Sequence, residues 1–393
     1  MDRTRLGRFA MPIAAAAAML LASCGGGGDD GPAASSSFPP SIALANVCTL
    51  ETERDFMRSF LDETYLWYDE VPAVNPAGFS SVSSYFNALL VKPKDRFSTV
   101  LPTNIANALQ MAPGGSLMDG IPANLLAAPG DSVPLARVVP SPNGRRVGYI
   151  LFNDHNQGAQ DELIAAFAGL KSGGVDDLVL DMRYNTGGFL YVALAAASMV
   201  TGPQSTGRIF EQLRYNAKRK AETAASTYLF SNRVQTAESI YLKDTPLPQL
   251  GLPRLYVLSS GQTCSASESI INSLRGIDVE VVLVGATTCG KPYGFHRQDN
   301  CGLAFFAIEF QGYNAKNFGD YTSGIAATCQ VADSLISTLG STAEPLLAAA
   351  LHHIDTGTCP APVAGKPSQG LPDVFRRNAP STTRQPWDGR VLR

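Results

Sequence analysis

Val147-Gly-Tyr-Ile-Leu-Phe152, the stretch from Gln160 to Leu170, and Asp177-Leu-Val-Leu-Asp-Met182 decide the fold. The first and third are short, uninterrupted apolar runs, as expected of strands buried on both faces. The second has helical spacing, so the three together read as one βαβ unit. The pattern then recurs. Arg254-Leu-Tyr-Val-Leu258 is a strand, and Ala266 to Leu274 is a helix with Ile270, Ile271 and Leu274 at core spacing. Val279-Glu-Val-Val-Leu-Val284 is a third parallel strand. Strands alternating with helices predict an α/β fold with a mostly parallel sheet.

Upstream of this core, Cys48 to Tyr68 reads as a helix with Phe56 and Phe60, and Met57 and Leu61, on one apolar side. Ser80 to Leu90 reads as a second helix. They define a small helical N-terminal unit over residues 46–98. Met111 to Asn143 has little period of either kind, so residues 99–145 are expected to be a linker. Residues 146–358 form the core, and a proline-rich tail with Trp387 runs over 359–393.

The whole chain has 393 residues, 45% hydrophobic and 17% charged. That charge content is below the roughly 25% usual in soluble domains, and the chain is globular rather than disordered. Lys plus Arg number 31 against 34 Asp plus Glu, without blocks of one sign. No nucleic-acid partner is expected from that balance.

Arg3, Arg5 and Arg8 open the chain, an apolar run follows from Ala10 to Ala22, and Leu21-Ala22-Ser23-Cys24 closes it. The run is too short to span a bilayer of roughly 30 Å, which favours a cleavable export signal. Its ending resembles a bacterial lipobox. The resemblance implies a lipoprotein signal peptide at residues 1–23 and lipidation of Cys24. Residues 24–45 are then a flexible tether rich in Gly, Asp, Ala and Ser. Gly25 rather than Asp after the cysteine leans toward the outer membrane. Gly26-x-Gly28-x-x-Gly31 lacks the preceding strand that a dinucleotide fingerprint needs.

Besides Cys24 the sequence has six cysteines: Cys48, Cys264, Cys289, Cys301, Cys329 and Cys359. An even number in an exported chain fits disulfides, and six allow 15 complete pairings. A zinc site would need a C-x-x-C or a ligand-spaced histidine pair, and neither occurs.

Three loops follow three of the parallel strands: Arg183 to Gly188, Ser259 to Ser267, and Gly285 to Lys291. Ligand sites in open α/β sheets lie at the carboxyl ends of strands, so these loops are expected to converge. Ser265, where strand gives way to helix, can present its oxygen beside a helix N-terminus that favours negative charge. It can equally be a plain helix cap. Lys291 can act as general base if burial lowers its pKa from about 10.4 toward neutrality, or it can be a solvated surface lysine. The amides of Gly187, Gly188 and Ala266 can form an oxyanion hole, or the glycines can serve only a tight turn. A Ser-His-Asp triad would have to use His155 or His296, and no Gly-x-Ser-x-Gly elbow is present. Glu268 suits a loop-orienting role, accepting backbone amides at the helix start.

Taken together, Ser265-Ala-Ser-Glu268, Leu180-Asp-Met-Arg-Tyr-Asn-Thr-Gly-Gly188 and Gly290-Lys291 resemble the signature loops of the C-terminal processing, or tail-specific, serine peptidases. Leu66-Trp-Tyr-Asp-Glu-Val-Pro72 and Lys94-Asp-Arg-Phe-Ser98 resemble that family's helical N-terminal region. The resemblance implies a ClpP/crotonase-like core, Ser265 as nucleophile and Lys291, 26 residues later, as base. It further implies an oxyanion amide from the Asn-x-Gly-Gly loop, polypeptide substrates and no metal or cofactor. Two positions depart from the pattern. Only 48 residues separate Ser98 from Val147, so the family's PDZ domain is missing or vestigial within 99–145. Phe295 stands where the family carries a lysine-orienting Gln or Glu, leaving Gln298 or His296 as candidates for that task. The expected protein is a lipid-anchored serine endopeptidase of the bacterial envelope; the rival readings are a silent peptide-binding lipoprotein and a small-ester or lactam hydrolase.

Overall fold

The computed structural model describes residues 38–111, 131–333, 337–361 and 390–391. The signal sequence, Cys24 and most of the proline-rich tail lie outside them. In chain order the elements are α1 (Leu50–Thr64), α2 (Val82–Leu89), β1 (Thr99–Pro102), α3 (Thr103–Met111), β2 (Leu135–Pro140), β3 (Arg146–Leu151), α4 (Ala159–Gly173) and β4 (Asp177–Asp181). They continue with α5 (Leu190–Val200), β5 (Ile209–Tyr215), α6 (Lys220–Ala225), β6 (Thr227–Leu229), β7 (Arg254–Ser259), α7 (Ala266–Gly276) and β8 (Glu280–Gly285). The last are β9 (Tyr293–Phe295), β10 (Gln298–Asn300), β11 (Leu303–Phe306), β12 (Phe310–Tyr313), β13 (Cys329–Gln330), α8 (Pro345–Thr356) and β14 (Arg390–Val391).

The central sheet has the order β13-β8-β7-β4-β3-β2, parallel except for the antiparallel edge strand β2. Alternate residues of each strand face opposite layers. Ile150, Leu180, Val257 and Leu283 pack in the core that includes α4, α5 and α7. Tyr149, Val179, Tyr256 and Val282 face α8 through Leu346, Leu347, Ala350 and Ile354. Ten of the eleven α5 residues are buried, which explains why that helix is apolar all round. β4, β7 and β8 are neighbours, so the loops leaving their carboxyl ends start side by side.

The N-terminal helices have local causes. Thr49 caps α1, Glu51 and Glu53 occupy its first turn, and Phe56, Met57, Phe60 and Leu61 are buried along one face. The helix is shorter than Cys48 to Tyr68 because the chain turns away at Tyr65, where Leu66 N–H donates to the Ile308 carbonyl at 2.8 Å. Ser81 caps α2.

Two segments differ from the sequence reading. Part of the stretch expected as linker is regular structure: β1 pairs with β11, α3 follows it, and β2 pairs with β3 along its whole length. Residues 112–130 lie outside the described part. The tether expected to reach residue 45 is already anchored at Ser41, whose N–H donates to the Glu63 carboxylate at 2.7 Å. Local periodicity missed β2 because it is an edge strand with several exposed residues, and its partner supplies the reason to extend.

Candidate active site

The three loops meet through hydrogen bonds. Cys264 N–H and Ser267 Oγ both donate to the Asn185 carbonyl at 3.1 Å, and Thr263 Oγ1 donates to the Met182 carbonyl at 2.9 Å. Cys289 N–H donates to the Thr263 carbonyl at 3.0 Å. Three disulfides pair Cys48 with Cys301, Cys264 with Cys289, and Cys329 with Cys359. The second joins the residue before Ser265 to the residue before Gly290-Lys291.

Ser265 is the N-cap of α7 and is fully buried, with φ 56° and ψ −113°. A positive φ is unusual for a side-chain-bearing residue, and such outliers cluster at functional sites. Its Oγ makes no hydrogen bond to any described group. Its N–H donates to Glu268 Oε2 at 2.9 Å. The same oxygen accepts Lys291 N–H at 2.8 Å, while Oε1 accepts Gly290 N–H at 2.8 Å and Thr288 Oγ1 at 2.6 Å. One buried carboxylate therefore holds the backbone of both loops. Burial pushes its pKa up, and these donors pull in the opposite direction.

Lys291 is 1% exposed, and its Nζ lies 5.0 Å from the Phe97 ring centre and 4.8 Å from that of Phe295. Burial of Ser265 and Lys291 means that a substrate must displace what covers them. Gln298 and His296, expected to orient the lysine, have partners of their own. Gln298 Nε2 donates to the Asp299 carbonyl, and His296 Nδ1 pairs with Glu309 Oε2 at 2.9 Å, its ring stacked on Tyr215. Phe97 belongs to the N-terminal unit. Beside it, Arg96 donates to the carbonyls of Cys289 and Thr322, at 3.3 and 2.9 Å. The sequence offered Lys94-Asp-Arg-Phe-Ser98 as a motif, but a contact spanning nearly two hundred residues is invisible to periodicity.

The glycine loop packs directly on the serine. A Cβ on Gly187 would lie 2.8 Å from the Cys264 carbonyl oxygen and 2.9 Å from Ser265 Cβ, and one on Gly188 would lie 2.8 Å from the His155 carbonyl oxygen. Both residues have positive φ, so only glycine fits. Gly187 is a correction as oxyanion donor: its N–H already donates to Asn185 Oδ1 at 3.0 Å. Among the described residues nothing accepts the Gly188 or Ala266 N–H, and these two remain the candidates. Asn185 Oδ1 also accepts from His155 Nδ1 at 2.9 Å. His155 thus braces the loop as a buried neutral ring, with its pKa held down to about 3 by burial.

Behind the loop, fully buried Arg183 pairs with Asp181 and Glu344 and reaches Asp333 at 3.0 Å. Tyr149 OH donates to Asp181 Oδ2 at 2.7 Å. Two clusters have the composition of a metal site, Cys264/Glu268/Cys289 and Cys329/His353/Cys359. In each, both cysteines are spent on a disulfide and offer no thiolate.

The model of peptidase family S41 matches residues 146–326, and that of the peptidase S41 N-terminal domain matches residues 52–99. Together they cover more than half of the chain. The chain belongs to peptidase family S41. Both matched regions of this S41 chain contribute to the site, the N-terminal one through Arg96 and Phe97. A carboxyl-terminal-processing protease of Picosynechococcus is 28% identical over 172 residues, 43% of this chain. That match spans 36% of the relative's length. A crystal structure from Bacteroides fragilis, described as an S41 protease, superposes with a TM-score of 0.62 at 20% identity. It covers 77% of this chain and 97% of the other, and shares the mixed α/β fold with a mostly parallel central sheet.

Proposed function

We propose that this chain is a serine endopeptidase that cleaves unfolded or C-terminal-tail-exposed proteins of the bacterial cell envelope through a Ser265–Lys291 dyad. The observation that carries this reading is the buried, unpartnered Ser265 Oγ on a strained N-cap, in a loop tied to the lysine loop by Glu268 and by a disulfide. In the reaction Ser265 Oγ attacks the scissile carbonyl carbon, and the Lys291 amine takes the hydroxyl proton. The tetrahedral oxyanion is met by the N–H groups of Gly188 and Ala266. Collapse breaks the C–N bond, and Lys291 returns the proton to the leaving amine. Lys291 then takes a proton from water, whose oxygen attacks the acyl ester; collapse breaks the ester C–O bond, and the Lys291 ammonium returns the proton to Ser265 Oγ, restoring both groups. Anchoring through a lipid on Cys24 would hold the enzyme on the periplasmic side of a membrane, with the outer membrane preferred. Among the described residues no helix is long and apolar enough to cross a membrane.

The test compares hydrolysis of casein by the signal-free protein, its Ser265→Ala variant and its Lys291→Met variant, with folding checked by circular dichroism. Loss of cleavage in both folded variants is expected. Cleavage by all three at one rate would refute the dyad.

A further inference from the structure

Behind the lysine loop lies a cavity of about 440 Å³, lined by Arg275 of α7 and by Phe318, Asp320, Tyr321 and Ile325 between β12 and β13. Ligand pockets commonly measure roughly 300–1,000 Å³. The lining joins an apolar wall to one cation, Arg275, that forms no ion pair among the described residues. Phe318 is 49% exposed, with its ring 6.4 Å from that of Tyr321. Arg275 donates from Nη2 to the Val281 carbonyl at 2.9 Å and has no carboxylate partner among the described residues. Burial pushes its guanidinium pKa down, as expected for a partly desolvated cation lacking an acid beside it. Lys316, which also lines the cavity, is already paired with Asp278 at 2.5 Å.

The cavity wall is tied to the lysine loop. Thr288 N–H donates to the Ile325 carbonyl at 3.1 Å, and Ile325 N–H donates to Thr288 Oγ1 at 2.7 Å. A Cβ on Gly290 would lie 2.3 Å from the Thr322 carbonyl oxygen. From Ser265 to Arg275 helix α7 rises about 15 Å. An extended peptide covers that span in about four to five residues.

We infer that this cavity receives the C-terminal end of a polypeptide, its terminal carboxylate on Arg275 and its apolar last side chain against Phe318, Tyr321 and Ile325. The inference rests on the peptidase reading, in which C-terminal tails are the substrates.

The test uses Ser265→Ala protein, so that nothing is cut, and a short fluorescein-labelled Gly/Ser peptide ending in leucine, as the free acid and as its amide. Anisotropy should show the acid binding about tenfold more tightly than the amide. Arg275→Met should erase that preference, and Arg275→Lys should keep part of it. Should Arg275→Met fail to fold, Phe318→Asp, on an exposed side chain, should abolish acid binding instead. Equal or absent binding of acid and amide, or a preference that persists in folded Arg275→Met or Phe318→Asp, would overturn the assignment. Casein cleavage by the unmutated chain reports on the peptidase reading separately: cleavage without acid preference sinks the cavity alone, and acid preference without cleavage sinks the peptidase alone.

Discussion

At His155, burial outweighs the Asn185 hydrogen bond and holds the ring's pKa near 3, against about 6.5 for a solvated histidine. Between these values the unfolded chain binds a proton that the folded chain refuses. Stability therefore falls as pH drops from about 6.5 toward 3, by up to about 1.4 kcal/mol per pH unit from this residue. Urea unfolding at stepped pH should show a shallower acid slope in His155→Gln than in the parent; parallel slopes would contradict the burial account. Gly188→Ala tests the next position along. The variant keeps the N–H, but its Cβ would lie 2.8 Å from the His155 carbonyl oxygen and must shift the loop. With the amide out of line, kcat should fall, by up to the about 10² to 10³ that a lost oxyanion donor costs, while KM changes little in protein that circular dichroism shows to be folded. At this scale much was legible. Ser265, Lys291 and Glu268 could be placed from strand ends and motif order, but the Gly187 amide could not be seen to be spent on Asn185, because that bond depends on a side-chain rotamer.

Among elements, β4, β7 and β8 are neighbours whose carboxyl ends hand their loops to one another. The Arg183 network pins the end of β4 to Glu344, the N-cap of α8. Burial pushes the Glu344 carboxyl up, but the Arg183 hydrogen bonds and charge outweigh it and hold its pKa low. Removing one partner of a buried pair strands the other, typically at about 3–5 kcal/mol. Glu344→Gln should lose stability of that order in chemical denaturation, whereas a change below about 1 kcal/mol would mean that the pair is not integral. The Cys264–Cys289 bridge acts where the reacting groups sit, and catalysis needs geometry held to about half an ångström. In a reductant titration, peptidase activity should fall before the circular dichroism signal; simultaneous loss would assign the bridge to stability alone. The parallel strands and their order along the chain were readable as apolar runs between helical stretches. β1 was not, because it extends only against β11, far along the sequence, and β2 was not, because it is a largely exposed edge strand whose only partner is β3, across the short turn 141–145.

For the whole molecule, the N-terminal helices are part of the site rather than an appendage. Phe56 and Phe86 pack on Phe305, the Cys48–Cys301 bridge closes a separation of 253 residues, and Arg96 and Phe97 reach the lysine loop. A bridge over so long a loop constrains the unfolded chain by roughly 5 kcal/mol in the chain-entropy account. Arg96→Met should consequently lower kcat while leaving Tm within a few degrees; an unchanged kcat would confine this unit to a structural role. The central claim is that Lys291 activates Ser265 across two loops held together by Glu268. The most direct measurement is labelling of the intact chain with a fluorophosphonate, followed by mass spectrometry of the modified peptide. The account predicts one adduct, on Ser265, lost in folded Lys291→Met. An adduct on another residue, or undiminished labelling of Ser265 without the lysine, would contradict it.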